Sequence, residues 1–438
     1  MHAICAISSA YGVGAIAVVR VSGDDAIENV DRLFRGRVSL TAAQAGSVHY
    51  GAIVREGEVL DQVLCSVFRA PHSFTGEDTV EIACHGSLYI QQTLLQWLVD
   101  EGCKMAQAGE FTQRAFLNGK MDLAQAEAVA DLIASQSKAE KDLALSQLRG
   151  SVSDELNSLR ERLLHFTSLV ELELDFADHE ELEFADRSEL TKLSDEIEQK
   201  LASLLASFRA GNAIRNGVSV AIVGAPNVGK STLLNALLGE QRAIVSDIQG
   251  TTRDTIEDTL VLDGILFRLI DTAGLRESAD KLENLGMERS RKAAEEAQII
   301  VYVTDDDAAM DPLPVAGTII HVRNKADLLD LGTRSQESGL FISAKKGDIS
   351  PLKSELVRVA RENMHTSAVM LSNARHYEAV ARAHEAIQRV QAGLADGLSG
   401  ELLSLDLQDC LNALGEVTGQ ITNQEVLTNI FSKFCIGK

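Results

Sequence analysis

The sequence predicts an α/β and α protein: an N-terminal α+β domain, an all-helical domain, and a doubly wound α/β domain inserted into the helices. Three observations carry this. Residues 1–118 alternate short β-like runs with two amphipathic helical stretches. From Asp122 to about Arg209 there is no proline, and apolar residues recur at helical spacing. From Gly217 short apolar strands alternate with helices, and beyond about Asn363 the chain returns to helices. A helical region that stops and resumes is most economically one domain interrupted by an insert, which requires its flanks to lie close together. The expected boundaries are 1–118, then 119–215 with 366–438, and 216–365 for the insert. Three domains in series is the alternative.

Taken in order, 14–21, 47–54, 59–68 and 79–84 read as strands, and 24–34 and 88–100 as helices. In the helical region Leu123, Ala126, Ala130 and Ile133 form one stripe, and Leu156, Leu159, Leu163, Phe166 and Val170 another. The insert offers strands at 218–223, 266–270, 299–304, 318–322 and 340–342. Helices follow at 374–390, 401–417 and 423–434. A chain of 438 residues is too long for one core, so several domains are expected.

Composition narrows the class. Apolar runs such as 218–223 are far too short to span a bilayer. Met1-His2-Ala3-Ile4 has no basic region followed by an apolar stretch, so no signal peptide is expected. The six cysteines are scattered without a Cys-x-x-Cys pair, which fits a reducing cytoplasm better than a disulfide framework or a zinc site. A net charge of −23 means that any contact with RNA needs a local basic patch or a partner subunit. Much of the excess lies in 171–189, where nine acidic residues face only Arg187, and it reads as a solvated helix end or hinge.

The insert carries the chemistry. Its first strand runs into Gly224-Ala225-Pro226-Asn227-Val228-Gly229-Lys230-Ser231, and an apolar helix follows from Thr232. This is G-x-x-x-x-G-K-[ST] in strand–loop–helix context. Its glycines let backbone N–H groups wrap phosphates, and the helix N-terminus adds its dipole. Lys230 supplies a point charge to the β- and γ-phosphates, and Ser231 a hydroxyl to Mg²⁺.

Downstream, Gly250-Thr251-Thr252-Arg253 lies in a polar loop, with Thr252 the candidate switch residue and second Mg²⁺ ligand. Asp271-Thr272-Ala273-Gly274 can hold Mg²⁺ through water and meet the γ-phosphate at the Gly274 N–H. Asn324-Lys325-Ala326-Asp327 places a carboxylate that can accept N1–H and N2–H of guanine. Adenine lacks that donor pair, and such mismatches can discriminate by ~10⁴ or more. Ser343-Ala344-Lys345 can reach guanine O6 through backbone. Elements at the C-terminal ends of successive strands, in this order, imply a GTP site.

Leu275 follows Asp271–Gly274 where many GTPases place a water-orienting Gln. Its side chain cannot orient water. Catalytic help must come from elsewhere: an arginine finger is worth ~10³–10⁵ in rate, and a bound cation or a self-dimer that orders the switch loops could do similar electrostatic work. Glu277, Glu283 and Glu288 are water-orienting candidates downstream.

The flanks carry further motifs: Val19-Arg20-Val21-Ser22-Gly23, Ser73-Phe74-Thr75-Gly76-Glu77-Asp78, Gly109-Glu110-Phe111-Thr112, Arg114-Ala115-Phe116-Leu117-Asn118-Gly119-Lys120 and Asp122-Leu123-Ala124-Gln125-Ala126-Glu127-Ala128. Asp247-Ile248-Gln249-Gly250-Thr251-Thr252-Arg253-Asp254 and the terminal Phe434-Cys435-Ile436-Gly437-Lys438 complete the set. On these residues the whole chain resembles the bacterial tRNA-modification GTPase family MnmE, also called TrmE.

The resemblance implies an N-terminal domain that binds a tetrahydrofolate derivative (5-formyl- or methylene-tetrahydrofolate) and drives homodimerisation. Arg20, Glu81, Lys120 and Lys438 match the folate-contact positions. It implies that paired G domains trap a K⁺ ion near the phosphates, with Asn227, Ser246, Ile248 and Thr251 at the K⁺-contact positions. Glu283 matches the water-orienting residue and stands ahead of Glu277 and Glu288. It implies an FAD-dependent partner, MnmG-like, in a heterotetramer or larger complex. The pair would install an aminomethyl or carboxymethylaminomethyl group at C5 of the tRNA wobble uridine (U34). Cys435 reads either as a participant in that modification or as a packed residue beside a functional Lys438; Gly437 and Lys438 fit a prenylation box poorly. Two departures stand out: Ser8 to Gly14 lacks the usual prolines, and Ala108 stands where Pro commonly precedes Gly-Glu-Phe-Thr.

Two other classes compete. A ribosome-maturation GTPase usually carries a second G domain or a KH-like unit, and this chain offers one P-loop and no such unit. A folate enzyme regulated by its G domain is the third.

Overall fold

The computed structural model describes residues 1–175, 187–241, 258–270, 292–305, 317–328, 340–364 and 369–437. The chain divides into two compact units, Met1–Ala130 with Gly415–Lys438, and Asp131–Leu414. Among the described residues no helix is long and apolar enough to cross a membrane.

The first unit is built on seven strands: β1 (Ile4–Ile7), β2 (Gly14–Ser22), β3 (Phe34–Gly36), β4 (Ser47–Arg55), β5 (Glu58–Phe68), β6 (Thr79–Gly86) and β7 (Lys104–Met105). They lie in the order β3-β4-β5-β6-β2-β1-β7, with only β1–β7 parallel. Period-2 alternation sets the faces: Ala17, Val19 and Val21 of β2 and Val80, Ile82 and Cys84 of β6 point into the core. Helices α1 (Ala26–Leu33) and α2 (Leu88–Asp100) close that core with Ile27, Val30, Leu94 and Leu98. Two further helices, α3 (Glu110–Leu117) and α4 (Leu123–Ala134), follow.

The strands and helices expected here are present with ends shifted by one or two residues. β1, β3, β7 and α3 were not expected. β1 reads Ile-Cys-Ala-Ile and is buried on both faces but for a partly exposed Ile7, so it has no alternation to detect. β3, β7 and α3 are too short to show a period.

The second unit begins with α5 (Lys138–Leu148), α6 (Ser151–Asp175) and α7 (Arg187–Asn216). A six-stranded sheet follows: β8 (Val218–Val223), β9 (Asp258–Leu262), β10 (Ile265–Leu269), β11 (Ile299–Thr304), β12 (Thr318–Arg323) and β13 (Leu340–Phe341), in the order β13-β12-β11-β8-β10-β9. All neighbours are parallel except the β9–β10 hairpin. Helices α8 (Lys230–Gln241) and α9 (Ser350–Met364) pack against Val220 and Ile222, while Ala221 and Val223 face Ala293, Ala294 and Ala297. A sheet covered on both faces is what its continuous apolar strands require.

Helices α10 (Ala374–Ala395) and α11 (Gly400–Thr418) resume the helical part, and α12 (Gln424–Phe431) packs its Leu427, Ile430 and Phe431 on Leu123 and Ala126 within the first unit. Entry and exit of the sheet lie side by side. Leu371 N donates to Ser207 Oγ on α7 at 3.0 Å. A Cβ at Gly211 would stand 2.2 Å from Leu371 O, so glycine alone allows that approach. The ring of Phe208 on α7 stacks on Tyr377 of α10 at 4.5 Å. The sheet is therefore an insert between adjacent helices.

Candidate nucleotide site and N-terminal polar site

Parallel pairing puts the C-terminal ends of β8, β11, β12 and β13 along one edge, and the loops that leave them form the candidate nucleotide site. The first loop turns sharply. Gly224 has φ 149°, and a Cβ there would lie 2.1 Å from Val303 O; Gly229 has φ 99°, and a Cβ would lie 2.3 Å from Asn324 Nδ2. Side chains are excluded at both. Asn227 takes φ 64°, a region Asn tolerates better than most residues. α8 starts at Lys230, so the first-turn N–H groups around Ser231 and Thr232 point toward the loop mouth. Lys230 Nζ donates to Gly224 O at 2.9 Å and Ala225 O at 2.7 Å, and partial burial lowers its pKa.

Asn324 joins three loops. It is 3% exposed; its Nδ2 donates to Val228 O at 2.9 Å, and its Oδ1 accepts from Ala344 N at 3.0 Å. Ala326 N donates to Ile342 O at 3.0 Å. The neighbouring Lys325 takes φ 59°, and its Nζ donates to Asp305 Oδ2 at 2.5 Å. Asp327 Oδ1 accepts from Ser343 Oγ at 2.7 Å, with Lys346 Nζ 3.9 Å from Oδ2. The Ser343 hydroxyl, ahead of the Lys346 and Lys345 charges, holds the Asp327 carboxyl below the usual carboxylate range. Ala344 is buried and Lys345 exposed. Thus Asn227 to Thr232, Asn324 to Asp327 and Ser343 to Lys345 converge. Ser246, Asp247, Ile248, Gln249, Gly250, Thr251, Thr252, Asp271, Thr272, Ala273, Gly274, Glu283 and Lys438 lie outside the described residues.

In the first unit Arg20 and Glu81 are cross-strand partners in the β2–β6 ladder. Arg20 donates from Nε at 3.0 Å and Nη2 at 2.8 Å to the single oxygen Oε1 of Glu81. Its guanidinium lies 5.3 Å from the Phe74 ring and 5.6 Å from the Phe111 ring. Lys120 Nζ donates to Pro71 O at 2.9 Å. The donor set fits a flat heterocycle with N–H groups and an anionic tail: Glu81 Oε2 can accept, Lys120 can meet a carboxylate, and the rings of Phe74 and Phe111 flank Arg20.

The C-terminal tail reaches the same end of the ladder. Ile7 pairs with Val19 and Ala6 with Arg20, and Ser8 Oγ donates to Gly437 O at 3.0 Å. Gly437 has φ 95°, and a Cβ there would stand 2.0 Å from Ile7 O. Ile436 bridges to Ala108, and Cys435 is exposed while the other five cysteines are buried.

Two of the N-terminal motifs meet in the structure. Glu77 and Arg114 form a buried ion pair, side chains 7% exposed each, at 3.1 Å. Ser22 Oγ also donates to Glu77 Oε2 at 2.9 Å, and Arg114 Nη1 donates to His2 O at 2.9 Å. Glu77 and Arg114 are 37 residues apart, and Glu77 sits in a polar stretch beside Asp78, so nothing local in the sequence marks the pair.

A doubly wound sheet with a phosphate loop, an Asn-Lys-x-Asp loop and a Ser-Ala-Lys loop on one edge defines a P-loop protein of the GTPase class. A family profile described as "GTP-binding protein TrmE N-terminus" matches residues 3–120, and one described as "MnmE helical domain" matches residues 123–435. A tRNA modification GTPase MnmE of Parabacteroides distasonis is 54% identical over 100% of both chains. One of Porphyromonas gingivalis is 49% identical over 99% of this chain and 98% of its own. The FeoB G-domain of Methanococcus jannaschii is similar at 23% identity, covering 33% of this chain and 98% of its own, with a TM-score of 0.23. The chain belongs to the tRNA modification GTPase MnmE family.

Proposed function

We propose that this chain is a K⁺-activated GTPase that works with an FAD-dependent, MnmG-like partner. Together they install an aminomethyl or carboxymethylaminomethyl group at C5 of the tRNA wobble uridine, taking the carbon from a tetrahydrofolate derivative. The observation that carries it is the presence in one chain of two sites: the braced guanine-nucleotide loops around Asn324, and the Arg20–Glu81 pair beside the docked tail.

At the nucleotide site Lys230 exchanges two backbone carbonyls for phosphate oxygens, and the first-turn N–H groups of α8 hold the β-phosphate. Ser231 and Thr232 are exposed at the loop mouth, and the Ser231 hydroxyl suits the hard cation Mg²⁺, with Thr252 as second ligand. Asp327 stays ionised and reads guanine. Leu275 cannot orient water, so Glu283 takes that role. Asn227, Ser246, Ile248 and Thr251 supply oxygens for K⁺, which adds positive charge near the transferred phosphoryl group.

At the N-terminal site Glu81 accepts from pterin N–H groups, while Lys120 and Lys438 meet glutamyl carboxylates. The exposed side chains of Val48, Tyr50 and Leu64 on β4 and β5 support a homodimer through this unit. The flavoprotein partner, in a heterotetramer or larger complex, supplies the RNA surface that a net charge of −23 denies this chain, and the site of action is the cytoplasm. The test is gene deletion followed by mass spectrometry of tRNA hydrolysates. Loss of the modified wobble uridine is expected; unchanged uridines overturn the reading.

A further inference from the structure

The residue that follows β11 reaches the loop that follows β12. Thr304 and Arg323 are the last partners in that parallel ladder, and just beyond them Asn324 N donates to Thr304 O at 2.7 Å. Asp305 and Lys325 therefore leave the sheet side by side, and Lys325 Nζ donates to Asp305 Oδ2 at 2.5 Å. Asp305 belongs to none of the nucleotide motifs.

Lys325 is held at both ends. Its backbone takes φ 59°, a region uncommon for any residue but glycine. Such a conformation is strained and persists only where neighbours enforce it. Here they do. Asn324 is buried and bonded to Val228 O and Ala344 N, Ala326 N donates to Ile342 O at 3.0 Å, and Lys325 O accepts from Leu328 N at 2.9 Å. At the far end the ammonium rests on Asp305. The four-carbon stem thus spans the gap between the exits of β12 and β11, on the loop that carries Asp327.

That placement has a chemical use. A free lysine side chain keeps many rotamers, and ordering it when a ligand arrives costs entropy. An anchored one presents a fixed apolar stem while its charged head stays paired. A purine has an edge that a carboxylate can read and flat faces that need a surface to lie on. A role in folding alone fits poorly, because the Lys325 and Asp305 side chains are 39% and 32% exposed, a setting in which an ion pair adds little to stability.

We propose that Asp305 is a positioning residue for guanine-nucleotide binding: it anchors the Lys325 ammonium, so that the Lys325 stem forms a preordered surface against the face of the base whose edge Asp327 reads. This rests on the assignment of Asp327 to guanine. The anchor serves the base and not the phosphates, so it acts on binding and leaves the chemical step alone.

The experiment is titration of the full-length chain with a fluorescent GDP analogue, together with steady-state GTP hydrolysis. Asp305→Ala should bind GDP about fivefold more weakly, the upper scale for a partly exposed ion pair, with KM for GTP raised to match and kcat unchanged. Asp305→Asn, which keeps an oxygen for the ammonium, should fall between Asp305→Ala and wild type. On a Lys325→Ala background Asp305→Ala should add less than about twofold, since two residues that act through one contact are not additive. Asp305→Ala binding within about twofold of wild type, a loss in kcat in place of KM, or an undiminished loss on the Lys325→Ala background each overturns the proposal. Asp327→Ala tells the two readings apart. Wild-type GDP affinity in that variant defeats the guanine assignment itself, whereas weakened affinity there beside unchanged affinity in Asp305→Ala defeats the anchor alone.

Discussion

The side-chain amide of Asn324 donates to the Val228 carbonyl at 2.9 Å, so the Asn324–Asp327 loop braces the Gly224–Ser231 loop. The same amide accepts the Ala344 N–H at 3.0 Å. Asn324→Ala strands a carbonyl and an N–H in a buried setting, at a cost of about 1–3 kcal/mol for an unsatisfied buried group. Felt in the nucleotide-bound state, that is about 5- to 150-fold weaker binding. Titration with a fluorescent GTP analogue measures it; affinity within twofold of wild type means that the brace is idle.

Asp327 is held ionised first by the Ser343 hydroxyl at 2.7 Å. Its folded pKa is depressed, so its contribution to stability is present above the unfolded value, about 3.9, and is lost as pH falls through the lower folded one. Guanine affinity should therefore stay flat from pH 8 to pH 5 as far as this group decides it. Ser343→Ala should move the acid loss upward. Asp327→Asn should turn preference from guanine toward xanthine nucleotides, and competition binding with XTP reads this out. Retained guanine specificity would contradict the role of Asp327.

How much was legible follows from where each signal lives. The phosphate loop, Asn324 and Asp327 were readable because backbone geometry demands glycine at 224 and 229, where a Cβ would meet atoms at 2.1 and 2.3 Å. β9 was missed although Asp263-Gly264 between apolar residues marks a tight hairpin; both take positive φ, 49° and 78°. β1 carried no alternation because both faces are buried. Pairings between distant segments stayed hidden for a different reason. Arg20 and Glu81 are 61 residues apart, and the resemblance named both without revealing that they bind each other. Nothing local in the sequence marks the Glu140 oxygen that packing leaves buried without a partner.

Arg114 and Glu77 pair at 3.1 Å with side chains 7% exposed. Arg114→Ala leaves the carboxylate buried without its cation, which typically costs about 3–5 kcal/mol. Trp97 is the single tryptophan and lies on α2 in the same unit, so its fluorescence during urea unfolding reports that unit. The Trp97 transition should move to lower urea. An unmoved midpoint would show that the pair contributes nothing net.

Leu275 gives the cation hypothesis its clearest test, because no side chain in the usual place can align water. GTP turnover should rise at least about tenfold when K⁺ replaces Na⁺, with the ~10³–10⁵ that an arginine finger supplies elsewhere as the upper scale. Glu283→Ala should slow turnover by about 10²-fold or more, the scale of a positioned general base or water-orienting group, without weakening nucleotide binding. Steady-state hydrolysis in both salts decides. Equal rates in K⁺ and Na⁺ refute the ion's role, and full activity of the alanine variant removes Glu283.

Gly437 is the residue on which tail docking turns. Its φ of 95° and a Cβ position 2.0 Å from Ile7 O leave no room for alanine without moving the chain. Gly437→Ala therefore forces the tail off Ser8 and breaks the bond to Gly437 O. Because the tail sits at the Ala6–Arg20 end of the ladder, folate affinity should fall about tenfold or more, as when one charge-assisted contact is lost. GTP hydrolysis by the chain alone should not change, since Gly437 belongs to one compact unit and the described nucleotide loops to the other. Wobble-uridine modification in cells carrying the variant should drop with it. Normal folate binding in the variant would separate the tail from the N-terminal site and leave Cys435 as an exposed thiol with a structural anchor only.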